Sequence, residues 1–60
     1  MKYWLIIIFT TTHGNYYGKR EILYNDEVAC YTAMDYIIPP RKYLTMQMEC
    51  ISEVEHSIRK

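Results

Sequence analysis

Two cysteines and two histidines are the residues of this 60-residue chain whose types could do chemistry. A Cys–His pair can form a nucleophile and its base, and Cys, His and carboxylate side chains bind metal ions. His13 lies in a predicted turn, and His56 has beside it Glu53 and Glu55, which are weak evidence for a metal site. A nucleophilic pair also needs a cleft, which so short a chain hardly provides. We therefore expect no enzymatic activity, no metal and no cofactor.

Cys30 and Cys50 allow two interpretations. A disulfide between them would stabilise a domain of this size. However, two cysteines without metal-ligand spacing, in a chain without a convincing signal peptide, are more often buried free thiols. The sequence favours reduced thiols, and a Cys30–Cys50 disulfide stays open as the alternative.

The charges of the chain balance, with seven basic and seven acidic residues. A net charge of zero argues against nucleic-acid binding through bulk electrostatics and against an acidic mimic of DNA. Half of the residues are hydrophobic, which is the composition of a folded protein rather than a disordered one. Basic doublets at residues 19–20, 41–42 and 59–60 are interpreted as solvated charge in preference to a nucleic-acid surface.

Residues 3–9 form an uninterrupted apolar run of Tyr, Trp, Leu, Ile and Phe. A strand with one wet face alternates apolar and polar residues, whereas this run is apolar on both faces. It is too short to span a bilayer, which needs about 20 apolar residues, and no small-residue cleavage pattern follows it. We expect a structural strand rather than a signal peptide or membrane anchor, and both of its faces need a partner.

Turn and capping signals divide the chain into elements within a single domain, residues 1–60. Strands are predicted over residues 3–11, 16–24 and 43–51, with Gly18 marking a bulge. A helix is predicted over residues 26–38, with Asn25 as its N-cap. Its buried stripe falls at helical spacing on Cys30, Ala33, Met34 and Ile37.

The end of the chain carries a capping-box pattern at residues 52–55. It predicts a short terminal helix whose apolar side is formed by Ile51, Val54 and Ile58. The element order is then ββαβ. A hairpin makes the first two strands antiparallel, and the helix acts as a crossover that returns the third strand parallel to the second. We expect an α+β fold, a three-stranded antiparallel sheet in the order 2-1-3 with one helix on one face.

One face of this sheet stays without a helix, and an exposed apolar face is typical of a binding surface. The interface is predicted to be a set of apolar and aromatic residues, namely Tyr3, Leu5, Ile7, Phe9, Tyr17 and Tyr43. Three occupants are possible for such a face: a protein partner, a second copy in a homodimer, or the C-terminal segment folded over it. The tyrosine content favours a protein interface.

Several features resemble those of short proteins encoded by phages and prophages of enteric bacteria. These are the apolar first strand, the Thr/Gly turn after it, and the helix start Tyr24-Asn25-Asp26-Glu27 followed by Cys30 and Cys50. The ββαβ order is also similar to that of the small RNA polymerase inhibitor of T7-like phages. The resemblance implies a protein that binds and inhibits or redirects a host protein, and it transfers no functional residue.

The sequence thus predicts a non-enzymatic protein-binding module, a phage-type inhibitor or modulator of a host protein that also forms a homodimer. Its expected location is the cytoplasm of a bacterial host, and neither nucleic acid nor membrane is an expected partner. The first alternative is a small secreted or periplasmic protein with a disulfide. The second is a sheet protein that binds single-stranded nucleic acid through stacked aromatic residues.

Overall fold

Three strands and two helices make up the computed structural model, which describes residues 1–59. In chain order they are β1 Tyr3–Thr11, β2 Tyr16–Tyr24, α1 Glu27–Met34, β3 Leu44–Ser52 and α2 Glu53–Arg59. The strands form one sheet in the order β2-β1-β3, and β1 pairs antiparallel with both neighbours. The predicted α+β class, strand order and single helix between β2 and β3 are confirmed.

β1 is the central strand, so its backbone groups pair with a neighbouring strand on both sides. The hairpin to β2 is closed by a hydrogen bond from the Thr11 N–H to the Asn15 carbonyl at 2.8 Å. Gly14 takes a φ of 87° in this turn, a conformation that favours glycine. The β1–β2 register shifts after the pair Phe9–Gly18 and leaves Tyr17 without a partner on β1, so the predicted irregularity lies next to Gly18.

The core lies between α1 and the odd-numbered residues of β1. Leu5 and Ile7 are buried together with Cys30 of α1. The rest of the predicted helix stripe packs against this cluster and is partly buried: Ala33, Met34 and Ile37. The stripe is therefore confirmed as the side of the segment that faces the sheet.

Both ends of α1 differ from the prediction. The N-cap is Asp26 rather than Asn25, and its Oδ1 accepts a hydrogen bond from the Ala29 N–H at 2.7 Å. Asn and Asp cap helices about equally well, so the sequence does not distinguish Asn25 from Asp26 as the N-cap. The helix ends at Met34 rather than at residue 38. Pro39 disfavours helical backbone at Ile38, and the chain must leave the helix to reach the start of β3.

The third strand begins and ends one residue later than predicted, at Leu44 and Ser52. Ser52 then caps α2, because its Oγ accepts a hydrogen bond from the Glu55 N–H at 3.1 Å. This bond confirms the half of the predicted capping box in which the Ser52 side chain accepts from the backbone. The predicted apolar side of the helix is wrong. Val54 and Ile58 are 56% and 78% exposed, and the buried residue of α2 is His56.

Cys30 and Cys50 form a disulfide that joins α1 to β3, with their Cα atoms 6.2 Å apart. The preference for free thiols is therefore wrong, and the alternative pairing is the one adopted. Both cysteines lie in the layer between the helix and the sheet, where the topology places them opposite each other. Spacing along the sequence does not report this proximity.

Truncation of adjacent residues of β1 tests which face packs against α1. We expect Ile7→Ala to lower the free energy of unfolding by about 2–5 kcal/mol, because it leaves a cavity in a closed core. Ile8→Ala removes the same atoms from a partly exposed side chain on the other face, so its cost is smaller. Urea unfolding of the two variants measures the difference, and an equal or reversed order would contradict the face assignment.

Candidate binding face

The side of the sheet opposite α1 is named here the open face. Because paired residues of neighbouring strands share a face, the register defines its members. Trp4 pairs with Leu23 and Ile51, Ile6 with Glu21 and Glu49, and Ile8 with Lys19 and Gln47. The open face is thus apolar along β1 and around Trp4, and polar residues of both outer strands flank Ile6 and Ile8.

Four of the six predicted interface residues lie on the opposite face. Leu5 and Ile7 are buried in the core, and Tyr3 and Phe9 pack against it. Leu5 and Ile7 are therefore not accessible to a partner, and Tyr3 and Phe9 lie on the α1 side of the sheet rather than on the open face. Tyr3 lies close to the start of α1. Its pKa is raised mainly by a hydrogen bond to the Glu27 carboxylate and, to a smaller extent, by burial.

The other two predicted residues, Tyr17 and Tyr43, are brought together by the fold. Their rings meet edge to face with centroids 6.3 Å apart, and they are 50% and 49% exposed. Tyr43 follows Thr45 onto the open face by alternation, and its ring contact brings Tyr17 to the same side. The pair lies at the end of this face near Thr10 and Thr45, whose hydroxyl oxygens lie 2.6 Å apart. Half of each tyrosine side chain is available for contact with another molecule.

At the other end of the open face, α2 covers Trp4. The ring of His56 stacks on Trp4 with centroids 4.6 Å apart and an interplanar angle of 18°. His56 is 8% exposed, and Ile51 beneath the helix is 3% exposed. The C-terminal segment therefore provides an intramolecular cover for one end of this face.

Glu21 anchors the buried imidazole from β2. His56 Nε2 lies 3.0 Å from Glu21 Oε1 and Lys19 Nζ lies 3.2 Å from Glu21 Oε2. The hydrogen bond from His56, and next that from Lys19, lowers the pKa of Glu21. These contacts contribute stability that is complete above the ordinary pKa of 4.5 and is lost as the pH falls through the lowered value.

Arg59 closes the opposite side of this arrangement. Its guanidinium lies 2.8 Å from Glu49 Oε1 on β3 and 2.9 Å from Glu55 Oε1 within α2. These contacts, that with Glu49 foremost, raise the pKa of Arg59. The contact with Glu49 joins the last turn of α2 to the sheet, and the contact with Glu55 inside the helix orients the guanidinium toward it.

A pocket of about 340 Å³ lies between α2 and the middle of the open face. Ile6 and Ile8 of the central strand give it an apolar base. Ile51 and five charged or polar side chains form its walls. The five are Lys19, Glu21, Glu49, His56 and Arg59. Lys19 and Arg59 are already paired with carboxylates, which distinguishes this site from a patch of unbalanced charge.

Sequence reasoning missed the contribution of His56. The i, i+4 spacing of Val54 and Ile58 suggested that these residues face the sheet, whereas they face away from it. His13 lies in the exposed turn, far along the chain from His56. Within residues 1–59, no three His, Cys, Asp or Glu side chains are grouped so that they could hold a metal ion.

Comparison of the chain with protein-family models, with curated proteins and with solved structures gave no match. Over the described part of the chain, neither helix combines the length and the apolar character needed to cross a membrane.

Two substitutions at His56 test how α2 is held on the sheet. In His56→Ala the emission of the single tryptophan, Trp4, should shift to longer wavelength, because water reaches an indole that the imidazole covers. His56→Phe keeps a stacked ring but loses the bond to Glu21, so its emission should stay near that of the wild type. Identical emission spectra for His56→Ala and wild type would contradict the stacked arrangement.

Proposed function

We propose that this chain is a non-enzymatic protein-binding module that binds a protein partner through its open face. The observation that carries the proposal is the central part of this face, where Ile6 and Ile8 line a pocket between α2 and the paired tyrosines. Apolar residues on an otherwise polar surface, next to aromatic side chains, are typical of the centre of a protein interface.

The geometry favours a partner that inserts a small apolar group. The base of the pocket takes an aliphatic or aromatic side chain, and Tyr17 and Tyr43 offer ring surface and hydroxyl groups beyond it. Tyrosine and arginine are enriched among the residues that dominate binding energy, and Arg59 stands at the rim. The charged residues around the pocket exist as neighbouring pairs, so shape and apolar contact, rather than net charge, would select the partner.

The proposed biological role is that of a small modulator of a host protein, of the kind that phages and prophages encode. This part of the proposal is supported by the sequence resemblance. A chain of this size can act by occupying a surface of its target, which requires an apolar contact site and no catalytic cleft.

A charge placed on the open face tests this function. We expect Ile8→Glu to abolish retention of proteins that the tagged wild type captures from a host lysate, because the carboxylate would be desolvated in the interface. Ile8 is only partly buried and lies outside the core, so the fold should persist. Quantitative mass spectrometry of the captured proteins gives the readout.

The matched control is Val28→Glu, which adds the same charge at a residue of α1 that is 73% exposed and lies away from the open face. Captured proteins should be retained by this variant as by the wild type. Capture that is equal for Ile8→Glu and Val28→Glu would place the interface elsewhere and refute the proposed role of the open face.

The Cys30–Cys50 disulfide favours a second candidate, a small secreted or periplasmic protein, because disulfides persist in oxidising compartments. The two candidates differ in the redox state of the protein in its own cells. Alkylation of free thiols at harvest, followed by intact-mass measurement, should find two alkyl groups on a cytoplasmic protein and none on an exported one. An oxidised protein throughout would contradict the cytoplasmic location.

A further inference from the structure

β3 has one edge paired with β1, and the other edge faces away from the sheet. Two hydrogen bonds show which backbone groups on the β3 side point toward β1. The Thr12 N–H donates to the Tyr43 carbonyl at 3.0 Å, and the Glu53 N–H donates to the Lys2 carbonyl at 2.9 Å. Both continue the β1–β3 register, so the odd-numbered residues of β3 direct their N–H and C=O groups toward β1. The even-numbered residues direct theirs outward.

Met46, Met48 and Cys50 therefore present a row of backbone donors and acceptors at the free edge. Among the described residues, no other backbone or side-chain group hydrogen bonds to them from that side. Leu44 is different, since its N–H already donates to the Arg41 carbonyl at 3.2 Å. Such an edge is a template for pairing with another strand.

The two edges of the sheet are protected to different degrees. β2 carries the consecutive charged residues Lys19, Arg20 and Glu21, and its register is broken next to Gly18. Charge and bulges are the features by which proteins prevent strand addition. β3 pairs with β1 over nine residues without a register shift and contains a single charged residue, Glu49. The β3 edge is thus the one open to pairing.

We propose that β3 pairs antiparallel with β3 of a second copy of this chain, so that two three-stranded sheets join into one six-stranded sheet. Directly opposed residues must lie on the same face of the sheet. Under two-fold symmetry, this requires the two copies of one residue to lie opposite each other across the axis. Met48 is the middle residue of Leu44–Ser52, so an axis at Met48 centres the pairing on the free backbone groups of Met46, Met48 and Cys50.

The chemistry of the exposed face supports the same register. With the axis at Met48, each Glu49 lies opposite Gln47 of the second copy, and an amide can donate to a carboxylate. An axis at Glu49 would place two like charges opposite each other, and an axis at Cys50 would place Glu49 opposite Ile51. Reciprocal backbone hydrogen bonds then link Met48 to Met48 of the second copy, and Met46 to Cys50 of the second copy.

This surface is separate from the one proposed for the partner. A two-fold axis perpendicular to the sheet leaves both open faces uncovered and on the same side of the dimer. The dimer would therefore present two pockets to a partner, and either proposal can fail without the other.

Charge substitutions at Gln47 test the edge pairing without disturbing the fold, because this side chain is exposed. Light scattering and sedimentation equilibrium, from about 1 μM to 1 mM, should show a concentration-dependent dimer for the wild type. Gln47→Glu puts carboxylates opposite Glu49 of the other copy and should raise the dimer Kd about tenfold. Gln47→Lys creates two opposite-charge pairs and should lower it several-fold.

Tyr36→Glu serves as the control, since it adds one negative charge to a loop residue that is 80% exposed and lies outside the strands. Its dimer Kd should equal that of the wild type within about twofold. A wild type that stays monomeric over this range overturns the proposal. A dimer whose Kd does not respond to Gln47→Glu, or that Gln47→Lys weakens, overturns the pairing and its register.

Discussion

A strand that is apolar on both faces, in a chain too short to build two complete layers around it, is the constraint on which this structure depends. β1 lies at the centre of the sheet, which removes its backbone groups from water, but its side chains still need cover on two sides. α1 and the Cys30–Cys50 disulfide close one side. Among the described residues, the seven-residue helix α2 lies on the other side and covers part of it.

The manner in which α2 covers that second side explains the character of the site. The helix turns a histidine inward and leaves its aliphatic residues in water, because the imidazole can both stack on Trp4 and bond to Glu21. Arg59 adds a second polar attachment at Glu49. A helix attached by polar contacts at its edges leaves a gap over the apolar middle of β1, and this gap is the pocket. The pocket proposed as the binding site thus exists because α2 covers the open face only in part.

Most of the architecture could be predicted because it rests on local signals. The apolar run predicted β1, turn and capping signals bounded the other elements, and helical spacing identified the residues of the core stripe. The errors arose where two residues or two faces were chemically equivalent. Asn25 and Asp26 are both good caps, and Pro39 limits a helix without stating where it ends. The interface assignment failed for the same reason, since either alternate set of β1 could have faced α1.

The sequence by itself determined the elements, their order in the sheet and the presence of one apolar face beyond the reach of α1, because periodicity and turn chemistry act over a few residues. Only the tertiary structure decided that Leu5 and Ile7 face the helix, that His56 lies over Trp4, and that Cys30 meets Cys50. These outcomes depend on how the crossover and α2 pack against the sheet. They join residues 20 to 52 positions apart, for which the chain offers no local signal.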